Sequence, residues 1–122
     1  MTDGAGGVDN LAYITSKFAE FNIRVNAVHP GTIRTPMTEH ESVRDLVKEM
    51  EKDIPMKHIA EPKEISNLLL YLSSDESIYS TGIEFVVDGG LIQVMYKAGE
   101  KSIFGFVQKS SQTICLRAFL LQ

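Results

Sequence analysis

The sequence lacks the features of a disulfide-bonded, secreted or membrane-spanning protein. Cys115 is the single cysteine among 122 residues, so no disulfide can form within the chain, which fits a reducing compartment. The beginning of the chain shows no basic segment followed by an apolar one, as a secretory signal would. The longest apolar run, Ile114 to Leu121, is too short to cross a bilayer and contains Arg117. We therefore predict a cytoplasmic protein with no membrane partner.

Metal and nucleic-acid binding also find little support in the composition. His29, His40 and His58 lack the paired ligand spacing of a zinc site, so we predict no bound metal. The formal net charge is -4, whereas contacts to a phosphate backbone need a basic surface. Nucleic acid is therefore not an expected partner.

The chain carries enough apolar residues for one small folded domain. Hydrophobic residues make up 43% of the sequence, which is ordinary for a globular protein. The charge changes sign along the chain: from Gln93 onward four basic residues stand against Glu100, a net charge of +3, so the first 92 residues carry -7. This change predicts a boundary near Gln93.

The apolar pattern predicts an α/β unit with two parallel strands. Residues Asn22 to Val28 form one short apolar strand that ends in a Pro-Gly turn, and Ile83 to Val87 form another that ends in Gly89-Gly90. Between them we predict a helix over Thr38–Ile54, capped by Thr38 and Glu41, and a second helix that begins at Pro62. Strand, helices and strand in this order indicate a parallel crossover connection.

The two ends of the chain have weaker patterns. Residues 1–10 are rich in glycine and read as a loop; no strand precedes them, so they do not form a phosphate-binding turn. Beyond residue 93 we predict a short strand over Ile103–Val107 and a short helix over Thr113–Leu121.

Three motifs in order resemble one enzyme family. Tyr13 and Lys17 have the form Y-x-x-x-K, Ile23 to Gly31 read I-R-V-N-A-V-H-P-G, and Thr81 to Gly90 read T-G-I-E-F-V-V-D-G-G. Together they resemble the C-terminal part of a short-chain dehydrogenase/reductase, over Leu11 to Gln93. The resemblance implies an incomplete Rossmann-like fragment, a doubly wound parallel sheet, in residues 1–93. Residues 94–122 form a non-family tail of unknown structure.

The resemblance assigns a catalytic role to the first motif. Residues four apart share one face of a helix, and an ammonium beside a phenol stabilises the phenolate. Tyr13 would be the acid/base that exchanges a proton with a small carbonyl or alcohol substrate. Lys17 would modulate it and hold the nicotinamide ribose of NAD or NADP. The alternative is that Tyr13 and Lys17 lie on an ordinary solvated helix face and have no catalytic role.

The resemblance also implies a cofactor role for the loop after the first strand. Pro30, Gly31, Ile33 and Thr35 match the family segment that contacts the nicotinamide carboxamide and the phosphates. The alternative is that Pro30-Gly31 only turns the chain. Asp88-Gly89-Gly90 similarly resembles the end of a strand that helps dimers to pack in the family. The alternative is that these residues form only a turn.

The chain also departs from the family in ways that predict little or no activity. It shows no glycine-rich turn after a first strand, and no serine lies at the expected spacing before Tyr13.

Only Phe18 to Asn22 join Lys17 to the strand. Five or six residues span at most about 18–21 Å, too few to return along a strand about 20 Å long and cross to the next layer. Either the tyrosine–lysine pair or the strand must therefore leave its family position.

Three readings remain open at this point. One is an NAD(P)-dependent oxidoreductase segment that is inactive or weakly active alone. The second is a non-catalytic module for interaction or oligomerisation, which self-associates because strands without neighbours expose edges that pair with other chains. The third is a piece that a separate, complementing chain completes.

Overall fold

The fold is a small three-stranded sheet with helices packed around its central strand. The computed structural model describes the backbone of residues 6–97 and 114–118 and the side chains of residues 11–95. The elements are α1 (Gly6–Phe18), β1 (Arg24–Pro30), α2 (Pro36–Glu39), α3 (Arg44–Asp53), α4 (Pro62–Ser73), β2 (Glu84–Val87), α5 (Leu91–Lys97) and β3 (Ile114–Ala118). Short 3-10 turns follow α1, at Ala19–Phe21, and α4, at Asp75–Ser77.

Strand β1 lies in the middle of the sheet, in the order β2-β1-β3. It pairs in parallel with β2, with Val28 opposite Phe85, and the connection through α2, α3 and α4 is the predicted crossover. On its other edge β1 pairs antiparallel with β3, with Asn26 opposite Leu116. Six of its seven residues are buried. The predicted α/β class is confirmed.

The helix predicted over Thr38–Ile54 is wrong in its first part, where the structure has two helices. Thr35, and not Thr38, caps α2: its hydroxyl accepts from the Thr38 N–H at 3.4 Å while the Thr38 hydroxyl accepts from the Thr35 N–H at 2.8 Å. His40 is extended, and its Nδ1 accepts from the backbone N–H of Ser42 at 3.3 Å. Such local side-chain bonds compete with helix continuation.

Both ends of the chain differ from the predictions. Helix α1 begins at Gly6, so the loop predicted for residues 1–10 is wrong in its second half. The helix predicted over Thr113–Leu121 is also wrong, because residues 114–118 form strand β3. The edge of β1 that faces away from β2 offers backbone hydrogen-bonding partners to these residues. A local pattern of apolar residues cannot reveal such a distant partner. The strand predicted over Ile103–Val107 lies outside the described residues.

The two faces of β1 are covered by different parts of the chain. Leu11, Val25 and Ala27 form a buried cluster with Ile14 and Ile23 packed against it, so α1 covers one face. Residues of alternating position point the other way, and there the Arg24 guanidinium reaches the end of α4. Its Nη2 donates to the carbonyl of Leu72 at 2.8 Å and to that of Ser74 at 3.2 Å. A cation satisfies the last carbonyls of a helix and interacts favourably with its dipole.

The connection from α1 to β1 is short and is held by two backbone hydrogen bonds. The N–H of Ile23 donates to the carbonyl of Phe18 at 3.2 Å, and the N–H of Asn22 donates to that of Ala19 at 3.0 Å. Asn22 has a φ of 55°, in the left-handed region. This is the Schellman arrangement, which ends a helix and reverses the chain within one residue. Helix α1 therefore runs antiparallel to β1, with its C-terminal end beside the start of the strand.

We expect the left-handed backbone at Asn22 to control stability. Asn22→Ala should lower the free energy of unfolding by about 0.5–1 kcal/mol, because a β-carbon without a compensating polar group is unfavourable there. Asn22→Gly is the matched control and should be at least as stable as the original chain, since glycine adopts this conformation freely. Urea denaturation of the three chains measures the order. Equal stability of the alanine and glycine variants would contradict the assigned cap.

Candidate functional site

The loop after β1 lies at the carboxyl end of the two parallel strands. The N–H of Gly31 donates to the carbonyl of Val87 at 2.8 Å, which extends the β1–β2 pairing by one residue. A β-carbon built on Gly31 would lie 2.8 Å from the Cα of Asp88. Glycine is therefore required here for the close approach of two backbones. Carboxyl ends of parallel strands are where open α/β sheets bind ligands.

Backbone bonds hold the same loop against the segment before α4. The N–H of Arg34 donates to the carbonyl of Ala60 at 2.8 Å, and the N–H of Ala60 donates to that of Thr32 at 3.0 Å. Ile33 and Ala60 form an isolated parallel bridge. Thr35 follows as the cap of α2, where both its hydroxyl and its N–H are bonded to Thr38. The four loop residues of the predicted cofactor set thus form one packed turn.

An ion pair that the sequence analysis missed closes this turn. Arg34 Nε lies 2.6 Å from Glu61 Oε1, and Arg34 Nη1 lies 3.7 Å from Glu39 Oε1. The hydrogen bond that Arg34 donates to Glu61 and the negative charge of this carboxylate raise the pKa of the Arg34 guanidinium. Glu61 also caps α4 together with Glu64. The sequence carries two signals for this ion pair. Arg34 is the basic residue in T-I-R-T-P, and Glu61 is the acidic residue directly before Pro62, which starts α4.

Tyr13 and Lys17 lie together on α1, as their spacing predicts. Lys17 Nζ is 5.7 Å from the centroid of the Tyr13 ring, within the range of a cation–π contact. The hydroxyl of Ser16 donates to the Tyr13 carbonyl at 2.8 Å. The Tyr13 side chain is 61% exposed, whereas Leu11 and Ile14 on the other face of α1 contact the core. The pair therefore faces solvent.

The pair and the loop lie at different heights on β1. Thr15, between Tyr13 and Lys17, packs against Gly82, where a β-carbon would lie 3.1 Å from its Cγ2. The Gly82 N–H in turn donates to the Val25 carbonyl at 2.7 Å. Val25 precedes Pro30 by five residues, which corresponds to about 16 Å of strand. The backbone of the pair thus lies about 10–20 Å short of the loop along the sheet.

This separation decides whether the described residues fit a nicotinamide dinucleotide. By resemblance, Lys17 and the loop of Pro30, Gly31, Ile33 and Thr35 would share a single nicotinamide riboside. The structure brings the loop residues together, and separately Tyr13 with Lys17, but it does not bring the two groups together. The described residues do not fit the cofactor as one site.

Other polar groups near the loop have structural partners. His29 is buried, and its Nε2 lies 3.5 Å from Glu84 Oε2. The Asp88 carboxylate accepts from the N–H groups of Gly90 and Ile92, each at 2.8 Å, and so holds the Gly-Gly turn that starts α5. Within residues 6–97 and 114–118, no three His, Cys, Asp or Glu side chains converge as metal ligands. No helix in these ranges is both long and apolar enough to span a bilayer.

Comparison with known proteins relates this architecture to a single family. The family model described as enoyl-(acyl carrier protein) reductase matches residues 5–92. The chain belongs to the short-chain dehydrogenase/reductase family. A 3-alpha-(or 20-beta)-hydroxysteroid dehydrogenase of Mycobacterium tuberculosis is 49% identical over 90 residues, which cover 74% of this chain and 31% of the relative. An NADP-dependent (R)-specific alcohol dehydrogenase of Lentilactobacillus kefiri is 47% identical over 72 residues, 58% of this chain and 28% of the relative.

Solved structures agree with the family assignment. A short-chain type dehydrogenase/reductase from Mycobacterium marinum has a TM-score of 0.62 and 38% identity, covering 71% of this chain and 34% of the other. A 4-hydroxyisoleucine dehydrogenase complexed with NADH has a TM-score of 0.59 and 30% identity, covering 70% and 36%. This short-chain dehydrogenase/reductase chain thus spans about a third of the length of its relatives.

The close approach at Gly31 gives a test of the loop geometry. Gly31→Ala should lower the free energy of unfolding by about 1–3 kcal/mol, because the new methyl group meets backbone that cannot easily give way. Thr32→Ala, one residue further on, is the control and should have a much smaller effect. Thermal or urea denaturation measures both. A Gly31→Ala chain as stable as the control would show that the loop does not pack on Asp88 in solution.

Proposed function

We propose that this chain derives from an NAD(P)-dependent oxidoreductase that interconverts secondary alcohols and ketones, and that the 122-residue chain alone does not catalyse this reaction. The family membership and the named relatives, a hydroxysteroid dehydrogenase and an (R)-specific alcohol dehydrogenase, support the ancestry. In such an enzyme the cofactor, NAD or NADP, supplies or accepts the hydride. A small carbonyl or alcohol is the proposed substrate class of the complete enzyme, and the cytoplasm its proposed location.

The observation that carries the second half of the proposal is the distance between the tyrosine–lysine pair and the loop. A general acid must lie within about 2.6–3.2 Å of the atom that it protonates. The backbone of Tyr13 lies about 10–20 Å short of the Pro30 loop, and we propose that its side chain therefore does not meet a substrate held there. The roles of Tyr13 as acid/base and Lys17 as its modulator are thus proposed for the ancestral enzyme.

Cofactor titration tests this proposal directly. Addition of the chain to NADH or NADPH should give no saturable change in nicotinamide fluorescence below about 1 mM, a binding free energy weaker than about -4 kcal/mol. Tyr13→Phe and Lys17→Met should behave like the original chain in reductase assays with small ketones, since neither residue reaches a reaction centre. Micromolar cofactor binding, or ketone reduction that Tyr13→Phe abolishes, would overturn the proposal.

A second candidate function, self-association, is supported by apolar side chains at one end of the sheet. Leu70 and Tyr71 on α4 are 71% and 39% exposed, and Ile78 and Tyr79 just beyond it are 64% and 101% exposed. Phe21 and Ile78 also line an open groove of about 650 Å³ beside the start of β1. Exposed apolar surface of this kind marks interaction sites. We propose a second copy of this chain as the partner for this surface, defined by Leu70, Tyr71, Ile78 and Tyr79.

Substitution within this surface should weaken self-association. The double variant Ile78→Ser, Tyr79→Ser should raise the dissociation constant of the homo-oligomer at least about tenfold, because each removed side chain withdraws apolar area worth about 25 cal/mol per Å². Met37→Ser, which removes an exposed methionine elsewhere, is the control and should change little. Sedimentation over a range of concentrations measures the constants. A strictly monomeric original chain, or equal effects of the two changes, would contradict this role.

A further inference from the structure

Strand β1 is paired with other strands along both of its edges. The N–H of Val25 donates to the Thr81 hydroxyl at 3.1 Å, and that of Ala27 donates to the Ile83 carbonyl at 2.9 Å, both on the β2 side. Backbone groups alternate along a strand, so those of Arg24, Asn26 and Val28 face β3. Their partners in register are Ala118, Leu116 and Ile114.

Strand β3 is not part of the family-like unit. The family match ends at residue 92, whereas β3 comprises residues 114–118. It comes from the segment whose net charge of +3 opposes the -7 of the first 92 residues. One edge of the central strand of a family-like sheet is therefore covered by a segment that the family match does not include.

We propose that β3 acts as an intramolecular guard strand, which covers the edge of β1 and thereby prevents β1 from pairing with β1 of a second copy. Helix α1 covers one face of β1, and the contacts of Arg24 tie its other face to α4. The edge is thus the route by which another polypeptide could reach this strand. An uncovered strand edge is a template for pairing with another chain.

The antiparallel pairing of β1 with β3 allows two matched proline variants of β3. One removes a backbone N–H that points toward β1, and the other removes a backbone N–H that points away from it. Asn26 faces β3, so its opposite residue Leu116 exchanges hydrogen bonds with it. Leu116→Pro removes that N–H and breaks the ladder. At Cys115, opposite Ala27, the N–H points away from β1, so Cys115→Pro removes no bond to β1 and is the control.

Residue-resolved hydrogen exchange and sedimentation on the 122-residue chain test the guard role. Both variants are made with Ile78→Ser and Tyr79→Ser, so that association through the apolar surface does not enter the comparison. At concentrations low enough to keep the variant monomeric, Leu116→Pro should accelerate exchange at Asn26 and Val28 at least about tenfold while Ala27 remains protected. As the concentration rises, sedimentation should show this variant shifting from monomer to larger species. Cys115→Pro should do neither.

Three results would overturn the proposal. Asn26 and Val28 could remain protected in monomeric Leu116→Pro, the uncovered chain could stay monomeric at all concentrations tested, or the two proline variants could behave alike. If Leu116→Pro also accelerates exchange at Ala27, the variant has lost more than the β1–β3 pairing. Exchange in the original chain, measured over a range of protein concentrations, then tests the guard role. Protection of Asn26 and Val28 that is independent of protein concentration supports an intramolecular guard. Protection that grows with concentration would instead show that β3 comes from another copy.

Discussion

The short connection between α1 and β1 is the constraint on which the rest of the structure depends. Five residues join Phe18 to Arg24, and the left-handed Asn22 reverses the chain among them. The end of the helix must therefore lie beside the start of the strand. This fixes the contact between α1 and one face of β1, and it also fixes the height of every α1 side chain relative to the Pro30 loop.

Strand β1 is the element that contacts β2, β3, α1 and the end of α4. Its backbone pairs with β2 on one edge and β3 on the other, and its side chains contact α1 on one face and the end of α4 on the other. The buried Arg24 guanidinium donates to the carbonyls of Leu72 and Ser74 at the end of α4, which also accept from the Ser77 hydroxyl. Burial of a charged group is tolerated here because several hydrogen bonds compensate the lost hydration.

Family membership and catalytic competence are separate properties in this chain. Identities near 49% over a third of a relative establish descent, and the Pro30 loop keeps its place at the carboxyl end of two parallel strands. Acid–base catalysis, however, depends on distances of a few ångström between reacting groups. The tyrosine–lysine motif retains its spacing of four residues and its helix, yet the helix ends one residue after Lys17, so the motif meets the beginning of β1.

Local sequence patterns determined β1, β2, α4 and the parallel crossover, because apolar alternation, Pro62 at a helix start and glycine-rich strand ends act over a few residues. The spacing of Tyr13 and Lys17 likewise determined that they share a helix face. The short connection determined that the pair or the strand leaves its family position, and the tertiary structure decided that the pair does so, since Thr15 packs against Gly82 near the start of β1. The tertiary structure alone decided that residues 114–118 are a strand. The partner of β3 is β1, about ninety residues earlier in the chain, and no local sequence pattern describes a pairing over such a separation.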